Sequence, residues 1–396
     1  MRPATSTAKH LNRISQRAQA IKPSGIRKFF DLLSSIEGVI SLGVGEPDYA
    51  TPWRMREVAI KSLEQGKTMY TSNLGTPELR QAISGYLNKE YGLSYNPKTE
   101  ILITVGVSEG MDLAMRAVLD PGDEVIIPAP CYVAYPAVVS LAGGTPVVVP
   151  TTAERGFEIE PSDIEENITE NTRAIFIGYP ANPTGAVMPR SKLVGIAQLA
   201  ERHNLLVVSD EIYARLSYGD PHTCFASLPG MRDHTILLGG FSKAYAMTGW
   251  RIGYAAGPQE LIAAMTKIHQ YTTMCAPTMS QVAALEAIQA GEDSVLEMVA
   301  DYNRRRLLTV KGLREIGLDC FEPKGAFYAF PCIRSTGLSS EEFAEKLLQE
   351  EKVAVVPGTA FGECGEGYVR CCYATSVPEL EEALRRMKRF VGKYRK

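Results

Sequence analysis

Seven short runs rich in β-branched and other apolar residues recur between helical stretches in the first two thirds of the chain. They lie at residues 101–105, 124–127, 146–149, 174–177, 205–209, 235–238 and 253–256. Because most of these runs are separated by helices, they are typical of parallel strands that are buried on both faces. The sequence therefore predicts an α/β fold with a mostly parallel, seven-stranded sheet between helices.

The pattern changes after Met279. A long helical stretch runs through residues 283–285 and 303–313. It leads to a region with strands predicted near residues 326–330, 353–356 and 368–373. We expect this region to form a smaller α+β domain.

The length of the chain allows more than one domain. With 396 residues, 45% of them hydrophobic, it can bury a large core. We assign residues 48–289 to the large domain, and residues 1–47 together with 290–396 to the small one. Because no low-complexity linker separates them, the small domain is expected to pack on the large one.

Composition limits the partners of the protein. The formal net charge of −3 gives no basic surface for nucleic acid. No apolar run approaches the roughly 18 residues of a membrane span, and the N terminus lacks the apolar core of a signal peptide. The eight cysteines include no C-x-x-C pair, which predicts reduced, packed thiols and no metal site. We expect a cytoplasmic protein that binds small molecules.

One lysine, Lys243, stands eight residues before one arginine, Arg251, in the segment 240–253. A partly desolvated lysine amine loses its proton easily and can form a Schiff base. Arginine offers a planar fork of donors that matches phosphate oxygens. The run at 235–238 predicts a buried strand that Gly239 and its glycine neighbour are expected to end, so the lysine lies at a strand end. An isolated pair is usually a surface lysine and a helix-capping arginine, but these flanks favour a site for an electrophilic cofactor with a phosphate.

The segment 240–253 resembles the pyridoxal-phosphate attachment signature of class I and II aminotransferases, in the fold-type I aspartate aminotransferase superfamily. The similarity runs from about Ile21 to the C terminus and is strongest to the prokaryotic and archaeal group of aspartate and aromatic enzymes. It implies one large and one small domain, pyridoxal 5′-phosphate (PLP) as cofactor, and transamination between an L-amino acid and a 2-oxo acid by a ping-pong mechanism. Lys243 would hold the cofactor and then move the substrate proton.

Asp210 lies just past the apolar run at 205–209. An unpaired carboxylate is costly there, so it needs a cationic partner, and a protonated pyridine nitrogen is such a partner. A helix N-cap is the common alternative. The resemblance assigns Asp210 to the ring nitrogen and Tyr213 to the 3′-oxygen of the cofactor, and we expect both to be catalytic.

Asn182 lies in a tight turn after another predicted strand, and the motif alone indicates no more than a turn. The resemblance assigns Asn182 to the same 3′-oxygen, close to the substrate carboxylate. Tyr132, just past the run at 124–127, lies where the family places a ring that stacks on the pyridine, although packing is an alternative.

Gly106 precedes a helical run, and the N terminus of a helix accommodates phosphate through its free N–H groups and its dipole. By itself such a turn often only caps a helix. The resemblance assigns Val107 and Ser108 to the phosphate cup, together with Arg251. Many relatives have a phosphate-binding serine three residues before the lysine. This chain has Gly240 there, so Ser242 or the backbone is expected to compensate.

Arg370 lies in a predicted strand of the small domain, where an arginine usually forms a structural salt bridge. The resemblance assigns it to the substrate α-carboxylate, which a bidentate guanidinium would orient for loss of the Cα proton. Val44 and Gly45 resemble the loop whose backbone closes over the same carboxylate. Tyr70 matches a tyrosine that reaches the phosphate of the neighbouring subunit, which implies a homodimer.

The substrate is less constrained than the reaction. In the bacterial aspartate enzymes of this group a lysine in the phosphate cup helps bind the distal carboxylate, and Ser108 stands in its place. Residues 24–30 resemble the archaeal aromatic enzymes. We therefore favour aromatic or broad specificity, with glutamate and 2-oxoglutarate as one pair and aspartate as an alternative.

Other reactions share this scaffold, so a decarboxylase, a C–S lyase and a cyclopropane-type synthase remain alternatives. A non-enzymatic regulator would need an added DNA-binding module, for which neither terminus has room. The first thirty residues are basic and rich in Ser and Thr, which also fits a transit peptide. The resemblance at residues 21–27 instead favours an ordered arm.

Overall fold

The computed structural model describes residues 14–21 and 37–395. Its strands are β1 (Ile40–Ser41), β2 (Ile101–Thr104), β3 (Glu124–Ala129), β4 (Thr145–Pro150), β5 (Thr172–Ile177), β6 (Leu206–Asp210), β7 (Thr235–Gly240), β8 (Gly253–Ala256), β9 (Tyr328–Ala329), β10 (Val353–Ala354), β11 (Val356–Pro357) and β12 (Val369–Cys372). Its helices are α1 (Gln16–Ala20), α2 (Trp53–Glu64), α3 (Pro77–Tyr91), α4 (Gly106–Val118), α5 (Ala134–Ala142), α6 (Pro161–Glu165), α7 (Arg190–Arg202), α8 (Gln259–Thr272), α9 (Thr278–Ala290), α10 (Glu292–Glu315), α11 (Ser340–Glu351) and α12 (Val377–Tyr394). The motif at residues 24–30 lies outside the described residues.

The large sheet has the strand order β2-β8-β7-β6-β5-β3-β4. Only β8 runs antiparallel to its neighbours in this sheet, and the other pairs are parallel. The prediction of a mostly parallel, seven-stranded sheet is therefore confirmed, and each strand lies where an apolar run predicted it.

Alternate residues of the central strands enter cores on opposite faces of the sheet. On β6, Val208 packs in the core formed with α4, α5 and α8, whereas Val207 packs with α7 on the other face. On β2, Leu102 joins the first of these cores, and its neighbour Ile103 packs against α3 and α9. A side-chain period of two with both faces covered explains why these strands are continuously apolar.

The prediction that Gly239 and Gly240 end strand β7 is wrong. Both glycines stay in the strand and pair with Tyr254 and Gly253 of β8. A Cβ atom on Gly239 would lie 2.3 Å from Cζ of Tyr254, so packing against that ring requires a glycine here. Lys243 nevertheless follows the end of the strand by three residues.

The C-terminal part of the chain forms its own core. Strands β11, β12 and β9 make an antiparallel sheet, and α10, α11 and α12 contribute to the surrounding apolar cluster. Strand β1 pairs in parallel with β10, and Leu42 joins the same cluster. The residues around 40–42 thus pack with the C-terminal region, while the limits at residues 47 and 289 stay a prediction.

The two parts of the chain are in direct contact. The amide of Tyr218 donates a hydrogen bond to the carbonyl of Lys324, and Ser217 forms a bridge with Gly325. All eight cysteines are free thiols, and five of them are buried, which confirms the prediction of packed thiols. No helix among the described residues is long and apolar enough to cross a membrane.

Candidate active site

A cavity of about 750 Å³ opens at the carboxyl ends of the parallel strands, where ligands bind in open α/β sheets. The structure brings twelve predicted site residues together in its wall, namely Val44, Gly45, Val107, Ser108, Tyr132, Asn182, Asp210, Tyr213, Ser242, Lys243, Arg251 and Arg370. It adds seven that the sequence analysis missed, namely Glu46, Met111, Val133, Tyr135, Ile212, Thr248 and Tyr328.

The Lys243 amine points into this cavity and donates a hydrogen bond of 2.7 Å to the carbonyl oxygen of Gly45. The pKa of Lys243 is lowered to about 8, mainly by burial and to a smaller extent by the nearby guanidinium groups of Arg370 and Arg251. Cys372 and Glu46 act in the opposite direction. A lysine in this state is partly neutral near physiological pH and is therefore nucleophilic.

Asp210 ends strand β6 and is only 4% exposed. Its carboxylate accepts hydrogen bonds from the hydroxyl of Tyr135 at 2.9 Å and from the amide of Ile212 at 3.1 Å. Burial raises the pKa of Asp210 to about 6, although these two bonds lower it. No helix begins at this residue, so the helix N-cap alternative is not observed. Within the described residues no cation forms an ion pair with this carboxylate.

In contrast to the buried carboxylate of Asp210, Arg370 is a buried cation. It lies in β12 and is 2% exposed. Its Nη1 donates to Oδ1 of Asn182 at 2.9 Å, and its Nη2 donates to the carbonyl of Gly43 at 2.6 Å. These oxygens are uncharged, and Nε has no hydrogen-bond partner in the described part of the chain. The predicted alternative, a structural salt bridge, is therefore not formed there.

A second cation faces the start of helix α4. Gly106 begins this helix at φ +71°, and a Cβ atom on it would lie 2.7 Å from Nη2 of Arg251. The Arg251 guanidinium also donates to the carbonyl of Thr248 at 3.1 Å. Val107 and Ser108 follow in the first turn of the helix. A helix N terminus beside a guanidinium is a suitable site for an anion such as phosphate.

The space next to Gly240 is already filled. A Cβ atom there would lie 2.9 Å from Cγ2 of Val107 and 2.9 Å from Cδ1 of Ile212. These side chains explain why a serine does not fit at this position without a shift. Ser242 is buried and lines the cavity.

Aromatic side chains line the wall beside Asp210. Tyr132 meets the ring of Tyr135 edge-on at 5.7 Å, and Tyr135 stacks on Phe176 at 4.3 Å. Tyr135 lies three residues after Tyr132, and that spacing was the one sequence signal for it. The hydroxyl of Tyr213 lies 2.6 Å from that of Tyr328. Tyr328 lacked a sequence signal because this contact joins residues 115 positions apart.

Tyr70 is the one predicted site residue outside the wall of this cavity. It is 80% exposed, and its neighbour Met69 is 76% exposed. The loop is anchored, because Thr278 donates to the carbonyl of Met69 and Gln281 donates to the hydroxyl of Thr71. The predicted contact of Tyr70 with a neighbouring subunit stays a prediction.

The donor set fits PLP. A phosphate suits Arg251 and the start of α4, a protonated pyridine nitrogen suits the buried carboxylate of Asp210, and an aldehyde suits the Lys243 amine. Arg370 remains available for a carboxylate. The sequence profile of the family described as Aminotransferase class I and II matches residues 37–387.

The chain belongs to the class I and II aminotransferases. It is 57% identical to the putative aminotransferase YugH of Bacillus subtilis over 380 residues, which cover 96% of this chain and 98% of the relative. It is 46% identical to an aspartate aminotransferase of Pyrococcus abyssi, over 95% of this chain and 97% of that enzyme.

The structure of an aromatic aminotransferase from Pyrococcus horikoshii superposes with a TM-score of 0.89 at 45% identity, covering 93% of this chain and 99% of the other. These findings confirm the predicted family and fold, and the protein is an aminotransferase. Aminotransferases of class I and II depend in general on PLP.

Proposed function

We propose that this aminotransferase uses PLP bound at Lys243 to move the amino group of an L-amino acid to a 2-oxo acid. One observation carries the proposal. The cavity contains a buried carboxylate without a cation and a buried guanidinium without a carboxylate, and a lysine amine with a lowered pKa lines the same wall. Burying opposite charges apart from each other is costly, and a ligand that supplies a partner to each of them would offset that cost.

Different residues of the cavity would bind different parts of the cofactor. Arg251 and the first turn of α4, with Val107 and Ser108, would hold the phosphate. Asp210 would keep the pyridine nitrogen protonated. Three further side chains complete this set: Asn182 and Tyr213 would bind the 3′-oxygen, and Tyr132 would cover the face of the ring. When bound, PLP supplies an electrophilic aldehyde carbon and a ring that withdraws electrons.

Arg370 and Lys243 would act on the amino acid itself. The two Nη atoms of Arg370 each hold one oxygen of the protein and keep a second hydrogen for the substrate carboxylate. Binding both carboxylate oxygens orients the Cα–H bond, and Val44 and Gly45 close the same end of the cavity. The Lys243 amine would take the Cα proton and deliver it to C4′ of the cofactor in the first half of a ping-pong cycle, and it would move a proton in the opposite direction in the second half.

The wall of the cavity supports aromatic or broad specificity. Its cationic side chains within the described residues are Lys243, Arg251 and Arg370, and the proposal gives each of them a role. Ser108 offers no charge to a second substrate carboxylate. Glutamate and 2-oxoglutarate are proposed as one pair, and the relatives named above include both an aspartate and an aromatic enzyme.

We also infer a homodimer in the cytoplasm. Tyr70 and Met69 are exposed apolar groups outside their own cavity, which suits a residue that completes the phosphate site of a neighbour. Eight free thiols suit a reducing compartment.

The reaction is tested by product analysis. Purified holoenzyme is incubated with 2-oxoglutarate and a panel of aromatic, acidic, aliphatic and sulfur-containing amino acids. We expect glutamate to form in equal amounts with the 2-oxo acid of each accepted donor. Release of carbon dioxide or of a thiol without glutamate would instead support a decarboxylase or a C–S lyase.

A further inference from the structure

Tyr328 contacts three groups of the proposed site. Its hydroxyl lies 2.6 Å from the hydroxyl of Tyr213 and 3.4 Å from the carbonyl oxygen of Gly45. Its ring lies under the guanidinium of Arg370, with the carbon Cζ 4.5 Å from the ring centre. The sheet explains the last contact. Tyr328 of β9 pairs with Cys372 of β12, which places it diagonally beside Arg370 on the same face.

The ring of Tyr328 fixes the plane of a buried cation. Arg370 lies between this ring and that of Phe361, 4.5 Å and 4.9 Å from the two ring centres. Asn182 and Gly43 hold the two Nη atoms. The guanidinium can therefore turn its remaining N–H bonds in only one direction, and a carboxylate must approach in that plane.

The hydroxyl of Tyr328 has one proton to donate, and two acceptors compete for it. The Gly45 carbonyl is the more distant, at 3.4 Å, and it already accepts the 2.7 Å bond from Lys243. The oxygen of Tyr213 lies at 2.6 Å. Burial raises the pKa of both tyrosines, so both stay protonated at neutral pH. When Tyr328 donates to Tyr213, the proton of Tyr213 is left for another acceptor.

We propose that Tyr328 is a positioning residue that couples the two halves of the site: its ring holds the plane of Arg370, and its hydroxyl directs the proton of Tyr213 toward the 3′-oxygen of the cofactor. The inference rests on the proposed function, because Tyr213 and Arg370 have these partners only if PLP and an amino acid bind here. It assigns separate effects to the ring and to the hydroxyl.

Two variants of the holoenzyme separate these effects. Tyr328→Phe keeps the ring, so the KM values of amino donors should stay within about twofold, since the cation–π contact is retained. Tyr328→Leu removes the ring and should raise KM by roughly 5- to 30-fold for acidic and aromatic donors alike. Tyr218→Phe is the matched control, because its buried hydroxyl donates to the Ala326 carbonyl away from the cavity.

The hydroxyl is tested by the pH titration of the visible absorbance of the bound cofactor. A donor to Tyr213 strengthens the bond from Tyr213 to the negatively charged 3′-oxygen. Its loss in Tyr328→Phe should therefore raise the apparent pKa of the chromophore by about 0.1 to 0.7 pH unit. In a Tyr213→Phe background the same change should have no further effect.

The direction of the change in the apparent pKa of the chromophore shows which of the two tyrosines donates the hydrogen bond between them. If Tyr213 donates to Tyr328 instead, Tyr328→Phe frees the Tyr213 proton and the apparent pKa falls, which would overturn the assignment. An unchanged pKa in Tyr328→Phe would overturn the role of the hydroxyl, and KM values of Tyr328→Leu that match those of Tyr218→Phe would overturn the role of the ring. A wild-type protein that neither transaminates nor carries PLP on Lys243 would mean that the proposed function itself has failed. Thermal unfolding of each variant identifies a loss that is due to misfolding, and Tyr328→Phe still tests the hydroxyl if the Leu variant does not fold.

Discussion

At the scale of single residues, burial gives the ionisable groups of the cavity pKa values suited to chemistry near neutral pH. The pKa of Lys243 is lowered to about 8 and that of Asp210 is raised to about 6, and desolvation is the largest cause of both changes. Between these values the carboxylate is charged while part of the amine is neutral. Perturbed groups that converge in one cleft are typical of active sites.

The rate at which the apoprotein captures PLP should follow the pKa of Lys243. The lysine must be neutral to attack the aldehyde, and its neutral fraction rises as pH increases through about 8. The rate should rise about tenfold from pH 7 to pH 9 and then level off. A lysine with the ordinary pKa of 10.5 would give a rate that keeps rising about tenfold per pH unit up to that value. Stopped-flow absorbance of PLP mixed with apoprotein distinguishes the two curves.

Arg370→Lys should not restore carboxylate binding, because a point charge cannot replace a bidentate fork. Loss of such a buried charge-assisted contact costs on the order of 2–5 kcal/mol. We expect kcat/KM to fall by well over tenfold for every amino acid tested, since all of them share the α-carboxylate. A loss confined to acidic donors would reassign Arg370 to the side-chain pocket.

At the scale of elements, the phosphate end of the site depends on how α4 begins. The turn at Gly106 has a positive φ and leaves room for the Arg251 guanidinium above it. Gly253 contributes to the same packing, because a Cβ on it would lie 2.8 Å from the amide nitrogen of Val107. The phosphate end of the site thus combines the N terminus of α4 with a guanidinium from a distant segment of the chain.

Gly106→Ala should weaken PLP binding by roughly tenfold or more, because the added methyl group meets Arg251 and one lost charged hydrogen bond is worth about 1.5–3 kcal/mol. Gly92→Ala is the matched control. Gly92 also has a positive φ, +69°, but no atom lies within 4 Å of an added Cβ. Both variants carry similar backbone strain. Equal PLP affinity in the two, measured by equilibrium dialysis, would contradict the role of this turn.

The elements also show what the sequence could and could not predict. The strands were found because a strand buried on both faces is a continuous apolar run. The error at Gly239 arose because a glycine that is required by the ring of Tyr254 has the same appearance in sequence as one that breaks a strand. Tyr328 was missed because its neighbours Tyr213 and Arg370 meet it only after the two parts of the chain pack together.

At the scale of the whole molecule, the cavity receives residues from both parts of the chain. Asp210 ends β6 of the large sheet and Lys243 follows β7 of the same sheet, whereas Arg370 and Tyr328 lie in the smaller sheet. The loop at residues 43–46 joins them, since its carbonyls accept bonds from Arg370 and Lys243. Movement of one part relative to the other would therefore change the carboxylate site and the lysine together.

A shared active site gives a test of the dimer. If Tyr70 serves the neighbouring subunit, an inactive Lys243→Ala protein mixed with an inactive Tyr70→Ala protein should regain activity. Each hybrid dimer then contains one site that is free of both changes. Up to about a quarter of the wild-type activity is expected after random exchange of equal amounts, because half of the dimers are hybrids with one intact site each. No recovery after exchange has been verified by mass spectrometry would count against a shared site.

The central claim is that Lys243 holds PLP, and reduction of the holoenzyme with borohydride followed by peptide mapping tests it most directly. We expect one phosphopyridoxyl group per chain, on the peptide that contains Lys243, and none in the Lys243→Ala variant. A reduced adduct on a different lysine, or a protein that binds no PLP while correctly folded, would contradict the assignment of this cavity.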